Sequence, residues 1–149
     1  MRLFDVSYIK IRSMHSVGLI AILSCLIGCA PKSINPSELS SDLRSLSSYA
    51  AEAELFIEYL EAGKGTKEFA RGHISYLIKA VQKTSKEIET VHAPASLEFR
   101  LAGCRQQHVF LSAQLTRLAQ NLGDRPTLAD VKNSIKRIRE ASDQARVGL

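Results

Sequence analysis

The sequence predicts an all-α protein, an up-down-up-down antiparallel four-helix bundle, and three observations lead to this fold class. Beyond position 35, apolar residues recur with a strict alternation of three and four, the spacing of one helix face. Glycine and proline divide the pattern into four segments. There is no strand-like alternation and no tryptophan, so β architectures have little support. The predicted helices span about 36–62, 66–92, 95–122 and 127–146.

The first two helices are bounded by recognisable start and stop signals. Asn35 or Ser37 can cap the first helix with Pro36 in its first turn, and Gly63 ends it as a left-handed cap. The second helix ends before Pro94. Their predicted core seams are Leu39, Leu43, Leu46, Ala50, Ala53, Ile57 and Leu60, followed by Ala70, Ile74, Leu77, Val81, Thr84, Ile88 and Val91.

The third helix stops at Gly123, and the fourth begins after Pro126 with Thr127 as its cap. Short connections require antiparallel neighbours, and seams of this spacing pack at about +20°. The predicted seams are Leu97, Leu101, Cys104, His108, Leu111, Leu115, Leu118 and Leu122, then Leu128, Val131, Ile135, Ile138, Ser142 and Ala145. The apolar faces are widened by Tyr49, Phe56, Tyr59, Phe69 and Tyr76, which favours a closed bundle.

Charge is shared unevenly between the first two helices. Residues 36–62 hold six acidic side chains against Arg44, whereas residues 64–92 hold six Lys and Arg against three acids. We expect the two helices to attract each other across the bundle and to set the helix order. The alternative is that a basic partner meets the acidic group of Glu52, Glu54, Glu58 and Glu61.

The N-terminal segment has the three parts of an export signal: a basic start, an apolar run from Val17 and a small residue before a cysteine. The run is too short to span a bilayer comfortably. It closes with Leu26-Ile27-Gly28-Cys29, which resembles the lipobox of bacterial lipoproteins and departs from it only in the bulky Ile27. The resemblance implies cleavage after Gly28, with a diacylglycerol thioether and an N-acyl chain on Cys29.

The same resemblance implies a domain plan and a location. Residues 1–28 are the signal peptide, 29–35 a lipidated tether and 36–149 the bundle. Two or more acyl chains give stable membrane residence. In two-membrane bacteria an Asp after the lipidated cysteine often retains such proteins in the inner membrane. Here Ala30 follows, so we expect the periplasmic face of the outer membrane. An outward-facing lipoprotein of a single-membrane bacterium is the alternative.

Composition limits the partners of residues 29–149. They carry 17 basic and 14 acidic side chains, a net charge of +3, which is far from the balance of a nucleic-acid-binding domain. Gly63-Lys-Gly-Thr66 is similar to the end of a phosphate-binding loop but links two helices, so no nucleotide is predicted. The chain offers no Gly-x-Ser-x-Gly and no His-Glu-x-x-His, so no enzyme, catalytic residue or cofactor is predicted.

Three side chains could bind a ligand inside the bundle. His108 lies on the third seam, His73 beside the second, and Cys104 one turn from His108. In antiparallel helices the two histidines differ in height by about 10 Å, too far for one metal ion. We therefore expect a hydrogen-bonded or partly exposed core histidine at 108 and a buried, inert thiol at 104. The alternatives are a haem or metal site, an intermolecular disulfide and a reactive thiol.

The function predicted from these observations is a membrane-anchored envelope lipoprotein whose helical bundle is an interaction or structural module. Its partner is expected to be an envelope protein or a second copy of the chain. The alternative is a periplasmic bundle that binds haem or a metal. The most individual stretch, residues 58–73, spans the first helical hairpin and is the first place to look for function. Within it, Gly72 either marks close helix packing or is simply tolerated.

Overall fold

The computed structural model describes residues 32–149, which form four helices. These are α1 (Pro36–Glu61), α2 (Lys67–Glu89), α3 (Ala95–Gln120) and α4 (Arg125–Arg146). The predicted all-α four-helix bundle is confirmed. The predicted signal peptide and the lipidation of Cys29 lie outside the described residues. Within residues 32–149, every helix is too short or too polar to cross a membrane.

Three of the four helices begin at a side chain that accepts a hydrogen bond from a free backbone N–H group; the capping residues are Asn35 for α1, Thr66 for α2 and Asp124 for α4. The Oδ1 of Asn35 accepts a hydrogen bond from the N–H of Glu38 at 2.9 Å, and the Glu38 carboxylate accepts one from the N–H of Asn35 at 3.0 Å. This reciprocal capping box starts α1. The predicted cap of α4 is wrong: Asp124 accepts from the N–H of Thr127 at 3.3 Å, and Pro126 lies in the first turn. Proline fits there because that position needs no donor.

Helix α2 ends at Glu89, three residues before its predicted end. The guanidinium of Arg105, from α3, donates to the carbonyl oxygens of Ile88 at 3.1 Å and Val91 at 2.6 Å. The last carbonyls of a helix need such partners. The side chain that supplies them comes from a different helix, so the pattern within residues 66–92 could not reveal this end.

The chain before α1 is fixed against the connection between α2 and α3. The N–H of His92 donates to the carbonyl of Lys32 at 2.9 Å, and the N–H of Ile34 donates to the carbonyl of His92 at 2.8 Å. The Ile34 side chain is buried in the core. We call this arrangement of Lys32–Ile34 with His92 the N-terminal clamp. Part of the segment predicted as a tether is therefore packed on the bundle.

The core follows the predicted seams. All of their members are buried except four half-buried residues, which are Leu60, Thr84, Leu122 and Ala145. The larger apolar cluster fills most of the bundle, and a smaller cluster around Ile34, Leu43 and Leu101 closes the end that carries the N-terminal clamp. Heptad spacing identified the core correctly because burial repeats with the helix period.

The helices do not share their contacts equally. α1 packs most extensively against α4, and α2 against α3; among neighbouring helices, α1 and α2 touch least. Glu54 pairs with Arg139 at 2.8 Å, and Glu58 pairs with Lys132 at 3.1 Å. The residue numbers therefore rise along α1 while those of the partners fall along α4. These two helices are therefore antiparallel.

The predicted attraction between the acidic first helix and the basic second helix is wrong. Lys132 of α4 also reaches Glu61 at 3.3 Å, so α4 neutralises most of the acidic group on α1. Within residues 32–149, the contact of Glu52 with His73 is the one such pairing between α1 and α2. The acidic group thus has its basic partners inside the chain. Helix α2 keeps an outward face rich in lysine.

Candidate functional site

The edge between α1 and α2 carries exposed aromatic side chains. We call this the aromatic surface and define it as Leu55, Phe56, Tyr59, Phe69, His73 and Tyr76. Phe56 is buried at its base, whereas Leu55, Phe69 and Tyr76 are each more than half exposed. Contiguous apolar groups of this kind on a protein surface commonly mark a binding site.

The rings of the aromatic surface contact one another and so hold a defined shape. The centroid of Phe56 lies 4.3 Å from that of His73 and 6.1 Å from that of Phe69. Phe69 is also 6.1 Å from Tyr59. Together with Glu52, whose Oε1 lies 3.4 Å from Nε2 of His73, these side chains line an open groove of about 340 Å³. The groove is apolar at its floor and polar at one side.

The loop between α1 and α2 supports one end of the aromatic surface. Gly65 has a φ of +81°, and a Cβ at this position would lie 2.7 Å from Cε1 of Tyr59. Only glycine therefore fits this close approach. Gly63, with φ +69°, ends α1 in the left-handed region, as predicted. The glycines of this loop thus serve turn geometry and the seating of Tyr59.

The aromatic surface overlaps residues 58–73, the stretch that the sequence marked as most individual, but its side chains are more exposed than predicted. Tyr59, Phe69 and Tyr76 were expected to widen the apolar faces toward the core, and all three are exposed. The reason is that α1 and α2 approach each other least among neighbouring helices, so that aromatic side chains on their flanks are left uncovered. Close packing at Gly72 is also wrong, because a Cβ there would meet nothing within 4 Å.

His108 is fully buried in the core on α3. Its Nδ1 lies 3.0 Å from the carbonyl oxygen of Cys104, and because a carbonyl only accepts, Nδ1 carries the proton. Nε2 is then a bare acceptor, and it has no hydrogen-bond partner. His108 is thus a hydrogen-bonded core histidine, as predicted, but only one of its ring nitrogens has a partner, and the alternative of partial exposure is wrong. Burial lowers the pKa of His108, so the ring is neutral at physiological pH.

Cys104 lies one turn before His108, with Sγ 3.8 Å from Nδ1. Burial raises the pKa of its thiol to about 12, so the thiolate that reactive cysteines need is not formed. This matches the expectation of an inert thiol. Asp42 of α1, which sequence reasoning did not single out, is a half-buried carboxyl whose pKa burial raises. Its charge acts on both Cys104 and His108.

The structure does not bring His73 and His108 together. His73 contacts Glu52 and the rings of the aromatic surface, whereas His108 contacts Cys104 in the core. Within residues 32–149, no three His, Cys, Asp or Glu side chains are grouped closely enough to hold a metal ion. The two histidines predicted as candidate ligands therefore belong to separate environments.

Comparison of the chain with protein-family models, curated proteins and solved structures found no match. Of the two sites, the aromatic surface is open to a partner of any size, whereas the surroundings of His108 are closed. The aromatic surface is therefore the better candidate for a binding site.

Proposed function

We propose that this chain is a lipid-anchored bacterial envelope protein that binds another envelope protein through the aromatic surface. The lipobox-like Leu26-Ile27-Gly28-Cys29 supports the anchor and, with Ala30, a place on the periplasmic face of the outer membrane. The exposed rings between α1 and α2 support the binding role, and they are the observation that carries the proposal. Buried aromatic anchors supply most of the energy at protein interfaces.

The position of the aromatic surface suits a partner away from the membrane. The N-terminal clamp fixes the chain from Lys32, which leaves residues 29–31 between the lipid and the bundle, a reach of about 10 Å. Phe56 is 20 residues from Pro36 along α1, or about 30 Å. An anchor on Cys29 would hold one end of the bundle at the bilayer, and the aromatic surface would lie toward the other end.

The chemistry of the groove indicates its partner. The floor formed by Phe56 and Phe69 accepts an apolar side chain, and the carboxylate of Glu52 accepts hydrogen bonds beside it. A groove between two helices suits the apolar face of an amphipathic helix. We infer a protein partner that presents such a helix.

The test is in-cell photo-crosslinking of the full-length protein. A photoreactive residue at Phe69 samples the aromatic surface, and one at the exposed Asn133 of α4 is the matched control. We expect one dominant envelope partner from position 69, lost when Leu55→Ser and Tyr76→Ser are added. Equal crosslinking from both positions, or none from position 69, would contradict the binding role.

The anchor is tested separately by Cys29→Ser. The expected result is loss of the protein from the membrane fraction, because no acyl chain can then be attached. A variant that is still cleaved, membrane-bound and fully functional would rule out lipidation as the means of attachment. The crosslinking result does not depend on this outcome.

A second candidate function is a periplasmic bundle that binds haem or a metal. The observation that favours it is the unpartnered Nε2 of the buried His108, with Cys104 one turn away. Such a protein would be purified with colour or with stoichiometric metal. Colourless, metal-free protein together with an unimpaired His108→Leu variant would dispose of this alternative.

A further inference from the structure

The outer face of α3 carries a second heptad seam, opposite the seam that forms the core. Its members have the same alternation of four and three and are all exposed; they are Ala95, Phe99, Ala102, Gln106, Val109, Ala113, Thr116 and Gln120. None of these side chains is charged. Outward faces of bundle helices are normally polar, so this face is unusual.

Three large apolar side chains stand out from this face. Phe99 is 90% exposed, Val109 57% and the adjacent Phe110 47%. Ala102 and Gly103 lie between them and are small, and at Gly103 a Cβ would meet nothing within 4 Å. The surface therefore alternates between protruding side chains and shallow depressions.

The alternation is self-complementary about Gln106. Each large side chain has a small residue at the same distance on the other side of this position: Phe99 with Ala113, Phe110 with Ala102, and Val109 with Gly103. When two such helices lie antiparallel with Gln106 on a two-fold axis, every large side chain faces a small one. This is the requirement for an isologous interface, in which the same patch meets itself.

We propose that two copies of this chain pair through the outer faces of α3, antiparallel and with Gln106 at the two-fold axis. Seams of this spacing pack at about +20° with the axes about 8–10 Å apart. The two Gln106 amides, each both donor and acceptor, can hydrogen-bond across the axis. The dimer uses no residue of the aromatic surface and needs no lipid anchor.

The area available indicates a reversible dimer. An aromatic side chain buries about 150–250 Å², so the exposed parts of Phe99, Phe110 and Val109 in two copies contribute roughly 700 Å². The smaller residues of the seam bring the total to about 1,000 Å², the lower limit of a specific interface. If the chain is lipidated as proposed, confinement to a membrane would raise its effective concentration and favour the dimer.

Cysteine crosslinking in the full-length protein tests the symmetry. A Gln106→Cys variant places two thiols on the axis, within reach of a disulfide, while the native Cys104 is buried. Asn133→Cys, exposed on α4, is the control. We expect mild oxidation to give about tenfold more covalent dimer from position 106 than from position 133. Equal yields would overturn the proposal.

Exchanging the large and small residues at positions 99 and 113 distinguishes specific pairing from non-specific hydrophobic association. In the Gln106→Cys background, Phe99→Ala leaves a void opposite Ala113, and Ala113→Phe brings two phenyl rings into collision. Each change should lower the crosslinked yield about tenfold, the effect of truncating one anchor at the centre of an interface. The double variant restores a large residue opposite a small one, and its yield should return.

Both positions are exposed, so circular dichroism should show an intact bundle in every variant. If the double variant gave no more crosslinked dimer than the single variants, the proposed pairing would be overturned. The proposal would also be overturned if lipid vesicles protected the thiol at position 106 from reaction and no covalent dimer formed. The outer face of α3 would then lie on a bilayer.

Discussion

Replacing His108 with leucine should stabilise the bundle. The bare Nε2 is buried without a donor, and such a group costs about 1–3 kcal/mol. The substitution gives up the bond from Nδ1 to the carbonyl of Cys104, worth about 0.5–1.5 kcal/mol. That carbonyl keeps its helical bond from the backbone N–H of residue 108. Because leucine fills a similar volume, the net gain should be about 1 kcal/mol, or about 4 °C in Tm.

The measurement is urea unfolding followed by circular dichroism, with equal slopes for the two proteins so that midpoints can be compared. A His108→Leu variant that loses more than about 1 kcal/mol would refute this reasoning, because Nε2 must then have a partner that contributes to stability. Such a loss, coupled to the loss of a purified metal or haem, would favour the second candidate function.

The same variant should change the pH dependence of stability. Burial lowers the pKa of His108 below its ordinary value of 6.5, so the unfolded chain binds more protons than the folded one as the pH falls through this value. Stability is therefore full above about pH 7 and declines below about 6.5. Asp42, whose pKa is raised above 3.8, gives the opposite slope at more acidic pH. Between about pH 7.5 and 5.5, His108→Leu should flatten the profile, and an unchanged slope in this range would contradict the assignment to His108.

Three further experiments test the packing of the bundle. Arg105→Met removes the donors to the last carbonyls of α2 and should cost about 2 kcal/mol in urea unfolding; an unchanged midpoint would show that water replaces the guanidinium. A double-mutant cycle of Glu54→Gln and Arg139→Gln should give a coupling of about 1 kcal/mol that weakens in high salt, and a coupling insensitive to salt would contradict an ionic origin. Gly72→Ala has open space at an exposed helical position and should raise stability by about 0.5–1 kcal/mol; a loss would mean that the site is more crowded than the packing indicates.

Features that depend on residues close in sequence were predicted well. The core seams follow from helix periodicity, and the capping of α1 by Asn35 and its end at Gly63 follow from local backbone chemistry. The start of α4 was misplaced by only two residues, because Asp124 and Thr127 are both competent caps and Pro126 tolerates either choice. Local signals of this kind fix an element more firmly than its exact ends.

Features that depend on which helices are neighbours were not predicted. The acidic side chains of α1 meet Lys132 and Arg139 of α4, because α1 packs most closely there. The exposure of Phe69 follows from the weak contact between α1 and α2, and the end of α2 follows from Arg105 on α3. Helix order is a property of the whole bundle, and heptads alone are compatible with more than one order.

The N-terminal clamp also determines how the bundle would respond to mechanical load. A pull on the chain ahead of Lys32 first meets the two hydrogen bonds to His92 and the buried side chain of Ile34. The force passes into the connection between α2 and α3 before it reaches the first turn of α1. A force applied from the N-terminal side is thus distributed over α1, α2 and α3. The first turn of α1 is loaded only after the hydrogen bonds of the clamp have broken.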